Sequence, residues 1–415
     1  MATDHVPALH TALVDQLKRE GHIRMPHVEA AFRAIPRHVF VPGVAPELAY
    51  RDQSIPVKQL DGTPVSSSSQ PAIMATMLEQ LDLQAGQRVL EIGTGTGYNA
   101  ALVAHLVGEE GQVITLDIDE DLVIGAREHL AASGFDRVHV VCGDGGAGYP
   151  DAAPYDRIIL TVGAWDVAPA WREQMTRGGR LVLPLSIKAG VQVSVAFERV
   201  DDHLASRSVF GCGFMMLRGA FAGPETRLAL GPEPGLNVTL DDRSQINAEA
   251  IYQALVGPSR DLATKTQATS SGDPFSGLSL WLALHEPGFC WLSAEGPWVE
   301  RGIVPELLRW SSLNKPITTI GLLSDTGACV LARSPEPPQA GPDAAAFELR
   351  VRQFGPDDAL TQRLIDRLAA WDAAGRPSIE GLRIAAYPND AHGAPAGHAI
   401  VVEKRWTRLV LAWER

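Results

Sequence analysis

Cysteine is scarce in this sequence, with four among 415 residues. The four stand far apart and form no C-x-x-C pair, so we expect free thiols in a reducing compartment and predict a cytoplasmic protein. The 12 histidines are scattered, and none has H-E-x-x-H or another spacing typical of zinc ligands. We therefore predict neither a structural nor a catalytic metal.

Positive charge and long apolar runs are also in short supply. Lys and Arg number 36 against 49 Asp and Glu, which gives a formal net charge of −13. This balance argues against a broad basic surface, so neither nucleic acid nor an anionic membrane is expected as a partner. No apolar run approaches the roughly 20 residues that span a bilayer, and the first residues have no signal-peptide pattern. The oligomeric state stays open.

What the sequence does have is a glycine-rich turn after an apolar stretch. The run Val89–Gly97 reads V-L-E-I-G-T-G-T-G and leads into a helical pattern. Glycines permit positive φ and close backbone approach, so such a turn often cradles a nucleotide. Dinucleotide folds favour G-x-G-x-x-G, whereas G-x-G-x-G after an acidic residue is typical of the S-adenosylmethionine loop of class I methyltransferases. A glycine-rich turn without a ligand is the alternative.

Strand and helix patterns alternate around this loop. We predict strands at 88–92, 112–117, 137–142 and 156–161, and helices at 97–107, 120–132 and 167–176. The alternation predicts βαβ units and a mostly parallel, Rossmann-like sheet. Strand patterns at 180–185, 191–197 and 203–210 end that sheet in an antiparallel hairpin. The predicted fold class is therefore α/β, of the class I methyltransferase type.

The composition changes to Gly, Pro and polar residues around 221–236. A boundary there agrees with the length, since domains average about 150 residues. We predict a cofactor-binding domain over 1–220 and an accessory α+β domain over 237–415. In the second half, alternating leucines at 278–284 indicate a strand, 242–255 and 357–371 indicate helices, 334–342 indicates a surface loop, and 398–403 with 406–413 indicates a closing hairpin.

Two aspartates follow predicted strands at the edge where this fold binds ligands. Asp117 lies about 24 residues after Gly93, where an acidic residue can accept hydrogen bonds from both ribose hydroxyls. Asp119 is a weaker competitor for that role and suits a helix N-cap better. Asp144 stands in the run Cys142–Gly146, where it could hold the adenine amino group. The alternatives are a solvated strand end for Asp117 and an Asp-Gly turn for Asp144.

A run of four serines, Ser66–Ser69, precedes Gln70 and Pro71. Several prolines before it, from Pro42 to Pro64, predict an irregular stretch, and the residues after it predict a helix. Hydroxyls and free N–H groups at a helix N-terminus can bind an anion, here a carboxylate. A flexible serine-rich loop is the alternative.

About the first 220 residues resemble the protein-L-isoaspartate O-methyltransferase family. The likeness runs through several motifs in the family's order. They are Leu13–Leu17, Ile35–Pro42, Ala49–Asp52, Ser69–Pro71, Val89–Gly97, Gly143–Gly145, Ala153–Ile159 and Gly178–Pro184. The probability of chance agreement across so many ordered segments is very small.

The resemblance implies roles for individual residues. It makes Ser69 the hydroxyl nearest the methyl-accepting carboxylate, with Ser67 at the family's threonine position. The implied cofactor residues are Glu91, Gly93, Thr94, Gly95, Gly97, Asp117, Asp144 and Gly145, with Glu91 acting indirectly on the methionine end. We also expect Ser68, Gln70 and Trp165 to face the substrate.

Two segments depart from the family pattern beside the expected substrate pocket. Lys58–Val65 replaces a shorter approach to the serines, and Gly163-Ala164-Trp165 replaces Ala-Ala-Pro. With the extra half of the chain, these departures favour methylation of an aspartate-type carboxylate in a dedicated, ribosomally made peptide. The ester can then cyclise to a succinimide. In that hypothesis the accessory domain recognises the peptide.

Two alternatives stay open. General repair of isoaspartate in damaged proteins predicts activity on unrelated isoaspartyl peptides. A non-catalytic module that binds S-adenosylmethionine and captures modified peptides is the other, although the intact cofactor loop and Ser69 weigh against it.

Overall fold

The structure is a computed structural model that describes residues 5–241, 246–268, 277–307, 316–334, 347–391 and 399–414. The chain divides into two compact units. The first comprises residues 1–185, 192–223 and 383–412, and the second comprises 186–191, 224–382 and 413–415. This division differs from the predicted accessory domain of 237–415, because residues 383–412 group with the first unit. Among the described residues, no helix is both long and apolar enough to cross a bilayer.

The first unit begins with three helices, a hairpin and a fourth helix. They are α1 (Val6–Arg19), α2 (Pro26–Ala34), α3 (Pro46–Ala49), β1 (Ile55–Leu60), β2 (Thr63–Ser68) and α4 (Pro71–Leu81). The prediction of an irregular stretch before the serines was therefore wrong for residues 46–49, which form α3, and for the part of the hairpin that precedes Ser66. Strands β1 and β2 form a two-stranded antiparallel sheet, in which Pro56 and Pro64 are tolerated because both strands are edges. Asp61 and Gly62 make the turn with φ of 50° and 77°, as a tight hairpin requires.

A parallel sheet follows, with the predicted alternation of strands and helices. Its elements are β3 (Arg88–Ile92), α5 (Tyr98–Val107), β4 (Gln112–Asp117), α6 (Glu120–Ala132), β5 (His139–Cys142), β6 (Tyr155–Leu160), α7 (Pro169–Glu173) and β7 (Met175–Lys188). The order β5-β4-β3-β6-β7 is parallel throughout. The strand order reverses between β3 and β6, and such a switch point is where open α/β sheets bind ligands. Strands β8 (Val191–Val200) and β9 (His203–Cys212) form the predicted antiparallel hairpin.

The second unit is built on an antiparallel sheet. Its elements are β10 (Arg227–Ala229), β11 (Leu236–Thr239), α8 (Ala248–Val256), β12 (Ser259–Ala268), α9 (Ser279–His285), β13 (Phe289–Ala294), α10 (Pro297–Glu300), β14 (Ile317–Ser324), β15 (Gly327–Arg333), β16 (Phe347–Phe354) and α11 (Asp358–Ala373). The strand order is β10-β11-β13-β14-β15-β16-β12. Residues 242–245 of the predicted helix 242–255 and residues 335–342 of the predicted loop lie outside the described residues.

The leucine alternation at 278–284 does not form the predicted strand. Residues 279–285 form α9, and Leu278, Ser279, Leu280, Leu282 and Ala283 are all buried. Trp281, Leu284 and His285 are half-buried, so the segment has no fully exposed face. In a short apolar segment of this kind, the spacing of leucines cannot distinguish a helix from a strand.

The chain ends with three strands, β17 (Leu382–Pro388), β18 (Ile400–Glu403) and β19 (Thr407–Trp413). β18 and β19 pair as the predicted hairpin. β17 pairs antiparallel with β9, and the first sheet continues in the order β8-β9-β17-β19-β18. This pairing, which joins Ala385 to Ala205, is the reason that residues 383–412 belong to the first unit.

Candidate active site

The loop after β3, residues 93–97, adopts a conformation that favours glycine at three positions. Gly93, Gly95 and Gly97 have φ of 102°, 52° and 86°. A Cβ on Gly93 would lie 2.6 Å from Oγ1 of Thr161, so a side chain cannot be added there without displacing the neighbouring strand end. The N–H groups of Gly93 and Thr94 both donate to the carbonyl of Leu116 in β4. This glycine loop is therefore held tightly against the ligand-binding edge of the sheet.

Glu91 lies beneath the glycine loop and is completely buried. Its carboxylate accepts hydrogen bonds from Nδ2 of Asn99, at 2.7 Å, and from Oγ1 of Thr115, at 2.6 Å. The Thr115 hydroxyl also lies 2.8 Å from Oγ1 of Thr94. Burial raises the pKa of Glu91 to about 7 against the opposing effect of these hydrogen bonds. Glu91 can therefore act on a ligand only through Thr94 and its other neighbours, in keeping with the indirect role predicted for it.

Asp117 ends β4 directly beside the glycine loop. Its Oδ2 accepts the N–H of Gly95 at 2.9 Å, and its Oδ1 accepts the N–H of Asp119 at 3.2 Å. Burial raises the pKa of Asp117, although the two backbone donors oppose the shift. A carboxylate offers about four lone-pair sites, so two remain for the ribose hydroxyls of a cofactor.

Asp119 occupies the N-cap position of α6, but its side chain makes no capping hydrogen bond, contrary to our expectation. It forms ion pairs instead with Arg218 and with Nζ of Lys58, the latter at 3.1 Å. Burial alone would raise the pKa of Asp119, but these two cations outweigh burial and lower it. Lys58 also pairs with Asp121 at 2.6 Å. The departing segment Lys58–Val65 is thus tied to the start of α6.

Asp144 stands after β5 and accepts two backbone N–H groups. Oδ1 binds the N–H of Gly146 at 3.0 Å, and Oδ2 binds that of Ala220 at 2.7 Å. Each oxygen keeps one lone pair, so turn formation and adenine binding are compatible. Gly145 has no space for a side chain, because a Cβ would lie 2.3 Å from Cγ2 of Ile92.

Residues 213–223 form a covering segment at this edge, which no pattern in the sequence predicts. Gly163 donates to Met215 and accepts from Leu217, both at 2.7 Å. Farther along, Phe221 packs so closely on Gly146 that a Cβ there would lie 2.1 Å from its ring. The covering segment therefore reaches from the end of β6 to the loop after β5. Two of its glycines, Gly219 and Gly223, have no space for a side chain and are the sequence feature that could have indicated close packing.

The serine segment, residues 66–70, lies against the opposite side of the glycine loop. A Cβ on Gly95 would be 3.6 Å from the carbonyl oxygen of Ser67. Ser67 and Ser69 are half-buried, Gln70 is exposed, and Ser68 is only 3 % exposed. A contact between substrate and the predicted Ser68 side chain would therefore require the segment to open. The structure thus places both Ser67 and Asp117 beside Gly95.

Trp165 follows β6 and is half-buried. The ammonium of Lys404 lies 4.8 Å from the centre of its ring, a distance typical of cation–π contacts. The adjacent Asp166 is buried and accepts the N–H of Trp406 at 2.6 Å and the hydroxyl of Thr407. The turn at residues 404–407, between β18 and β19, therefore fixes the loop that departs from the family pattern. No local pattern in the sequence could have indicated this contact.

Comparison with known proteins shows similarity over the first half of the chain. Residues 8–220 match the family described as protein-L-isoaspartate(D-aspartate) O-methyltransferase. A protein-L-isoaspartate O-methyltransferase of Methanopyrus kandleri is 40% identical over 217 residues, which are 52% of this chain and 94% of that relative. One of Ignicoccus hospitalis is 42% identical over 205 residues, covering 49% and 95% respectively. A solved protein-L-isoaspartate O-methyltransferase, 24% identical, aligns over 91% of this chain and 96% of its own with a TM-score of 0.49.

Proposed function

The chain belongs to the protein-L-isoaspartate O-methyltransferase family, and on that basis we propose that it repairs isoaspartyl residues in damaged proteins. Membership makes it a carboxyl O-methyltransferase that uses S-adenosylmethionine, which sets aside the non-catalytic alternative. The matched region, residues 8–220, contains every predicted cofactor and acceptor residue. A cytoplasmic location belongs to the same proposal, since all four cysteines are free thiols.

The observation that carries the proposal is the position of Gly95. Its N–H binds Asp117, and its Cα faces the carbonyl of Ser67 across a gap that a side chain would largely fill. One glycine therefore joins the predicted ribose-binding acid to the predicted acceptor segment. A cofactor held along the glycine loop would lie next to the serines that orient the methyl-accepting carboxylate.

The residues present fit S-adenosylmethionine. Asp117 has two lone-pair sites for the ribose hydroxyls, Asp144 has acceptor capacity for the adenine amino group, and Gly93, Gly95 and Gly97 permit close approach of the chain. When bound, S-adenosylmethionine supplies an electrophilic methyl group. We propose that Glu91 supports the glycine loop from below rather than touching the cofactor.

The acceptor side needs orientation more than acid–base chemistry. The free carboxyl of an isoaspartyl residue is its α-carboxyl, which has a pKa near ~3.5 and is already ionised at neutral pH, so no general base is required. Ser69 and nearby N–H groups would hold the carboxylate with one oxygen facing the methyl group, and such positioning supplies much of the acceleration. Neutral donors suit this task, because a clamping cation would stabilise the nucleophile and make it less reactive.

The test is mass spectrometry of an isoaspartyl peptide incubated with the protein and S-adenosylmethionine. We expect a gain of one methyl group on that peptide and none on the same peptide with ordinary aspartate. Ser69→Ala should retain cofactor binding and lose turnover. No methylation by a protein that binds the cofactor would refute general repair.

A second candidate is methylation of a dedicated, ribosomally made peptide, which we predicted from the sequence. It is supported by the loop Gly163–Asp166, whose conformation depends on the turn at 404–407 outside the family match. In this proposal the second unit recognises the peptide, and the ester can cyclise to a succinimide. The names of the matched relatives favour repair. Methylation confined to one encoded peptide, with no activity on unrelated isoaspartyl peptides, would reverse that order.

A further inference from the structure

Arg37 is a fully buried cation at the back of the serine segment. Its Nη1 donates to the carbonyls of Ala49 and Arg51 at 2.8 and 3.2 Å. Its Nη2 donates to those of Gln53, Ser68 and Ser69 at 3.0, 3.3 and 2.9 Å. These are five neutral acceptors, and no carboxylate within the described chain forms an ion pair with Arg37. Burying a cation whose hydrogen-bond partners are all neutral is costly, even with the charge of Asp52 nearby, so a buried arginine here needs a reason beyond packing.

The orientation of the peptide planes supplies that reason. In a planar trans peptide the C=O of one residue and the N–H of the next point in opposite directions. Because the carbonyls of Ser68 and Ser69 both point inward to Arg37, the N–H groups of Ser69 and Gln70 point away from it. Two successive N–H donors on one side of a chain can donate to the same anion.

Asp52 fixes the same segment from its other end. Its Oδ2 accepts from Nε2 of Gln70 at 2.6 Å, and its Oδ1 accepts the N–H of Ala72, in the first turn of α4, at 2.8 Å. Gln70 is therefore held through its side chain while Arg37 holds the peptide bond before it. The two backbone donors next to the Ser69 hydroxyl are thus held on both sides.

We propose that Arg37 is a positioning residue for methyl transfer: it orients the Ser69 and Gln70 N–H groups toward the acceptor carboxylate. Arg37 touches neither the carboxylate nor the cofactor. It acts by turning two carbonyl dipoles away from an incoming anion and two N–H dipoles toward it. This inference rests on the proposed function and adds a neutral carboxylate site made of backbone, consistent with an acceptor that must stay reactive.

Arg37→Lys is the informative variant, because lysine keeps the charge but cannot reach five carbonyls in two directions. Arg157→Lys is the matched control. Arg157 also donates to backbone carbonyls of the first unit, to Leu81 at 2.8 Å and Asp82 at 3.1 Å, but none lies in the serine segment. Thermal unfolding of both variants measures the structural loss that they share.

We expect Arg37→Lys to lower kcat about 10- to 100-fold, the loss typical of a reactant misplaced by about 1 Å. The Kd for S-adenosylhomocysteine should change less than about twofold, because the cofactor residues are untouched. Arg157→Lys should retain kcat. In a Ser69→Ala background, Arg37→Lys should lower kcat by a much smaller factor, because the effects of residues that act through one segment are not additive.

Three results would overturn the proposal. One is a kcat for Arg37→Lys within twofold of the wild type. Another is an equal loss of kcat in both lysine variants with equal loss of stability, which would make Arg37 merely structural. The third is full additivity with Ser69→Ala. If the wild-type protein itself fails to methylate the isoaspartyl peptide, repair fails first, and the positioning role falls with it.

Discussion

Glu91 makes the stability of the first unit depend on pH near neutrality. Its carboxyl group is buried, and burial, the largest influence, raises its pKa to about 7 from an ordinary value of 4.5. Hydrogen bonds from Thr115 and Asn99 oppose the shift, and the nearby charge of Asp117 adds to it. The folded protein therefore prefers the protonated acid over a pH range in which the unfolded chain has already ionised.

The magnitude follows from the two pKa values. Each unit of difference corresponds to about 1.4 kcal/mol, so a pKa of about 7 in the folded state and 4.5 in the unfolded chain corresponds to roughly 3 kcal/mol. The folded pKa is the higher one, so this contribution is fully present below pH 4.5 and is lost as pH rises through about 7. Between pH 5 and 8 the wild-type protein should become less stable.

Glu91→Gln removes the ionisation while keeping nearly the same shape. The amide oxygen can still accept from Asn99, and the NH₂ group can donate to the Thr115 hydroxyl. We expect the variant to match or exceed the wild type in stability at pH 8. As pH falls toward 5, the free energy of unfolding of the wild type should rise relative to that of the variant.

Urea unfolding followed by circular dichroism at pH 5, 6, 7 and 8 measures this difference. Subtracting the free energy of unfolding of the variant from that of the wild type at each pH cancels the contributions of histidines and other groups that titrate in both proteins. The reasoning would be refuted by parallel pH profiles, which would mean that Glu91 stays ionised in the folded state. A wild type that gains stability relative to the variant above pH 7 would refute it equally.

Further predictions concern the ligand edge of the sheet. Asp117→Asn should raise the Kd for S-adenosylhomocysteine at least about tenfold, since charge-assisted hydrogen bonds contribute about 1.5–3 kcal/mol; calorimetry showing an unchanged Kd would remove Asp117 from the site. Ser69→Ala should lower kcat with an unchanged cofactor Kd, and a parallel loss of both in the peptide assay would make Ser69 structural. Gly145→Ala should destabilise the protein by about 1–3 kcal/mol in urea unfolding, because its Cβ would lie 2.3 Å from Ile92; wild-type stability would contradict this packing.

The parallel sheet could be predicted because each of its elements carries its own local pattern. Val89–Gly97 combines an apolar strand, glycines that take up positive φ and a helix start within nine residues. Asp117 and Asp144 each follow an apolar strand directly. Neighbours in a parallel sheet share one ligand edge, so three local patterns sufficed to place these residues near one another.

The hairpin of β1 and β2 differs from the irregular stretch that the prolines predict, because proline is compatible with an edge strand. Proline removes a donor only from a ladder that needs one, and β1 and β2 have no other neighbours in their sheet. The Asp61-Gly62 pair is a common hairpin turn, and it indicates the hairpin more strongly than the two prolines argue against it. The pairing of β17 with β9 could not be predicted from the sequence, because the alternating pattern of a strand does not specify its partner.

The two sides of the proposed site differ in how the sequence encodes them. On the cofactor side, each predicted residue lies at or near the end of a strand of the parallel sheet. The local sequence motif therefore also determines where that residue lies. On the acceptor side Ser69 is oriented by Arg37 and Asp52, and Trp165 by residues beyond 400. These contacts join segments that can change independently of the cofactor motif. The family therefore specifies the methyl donor, and we propose that the choice of acceptor depends on long-range contacts, of which the turn at 404–407 lies outside the family match.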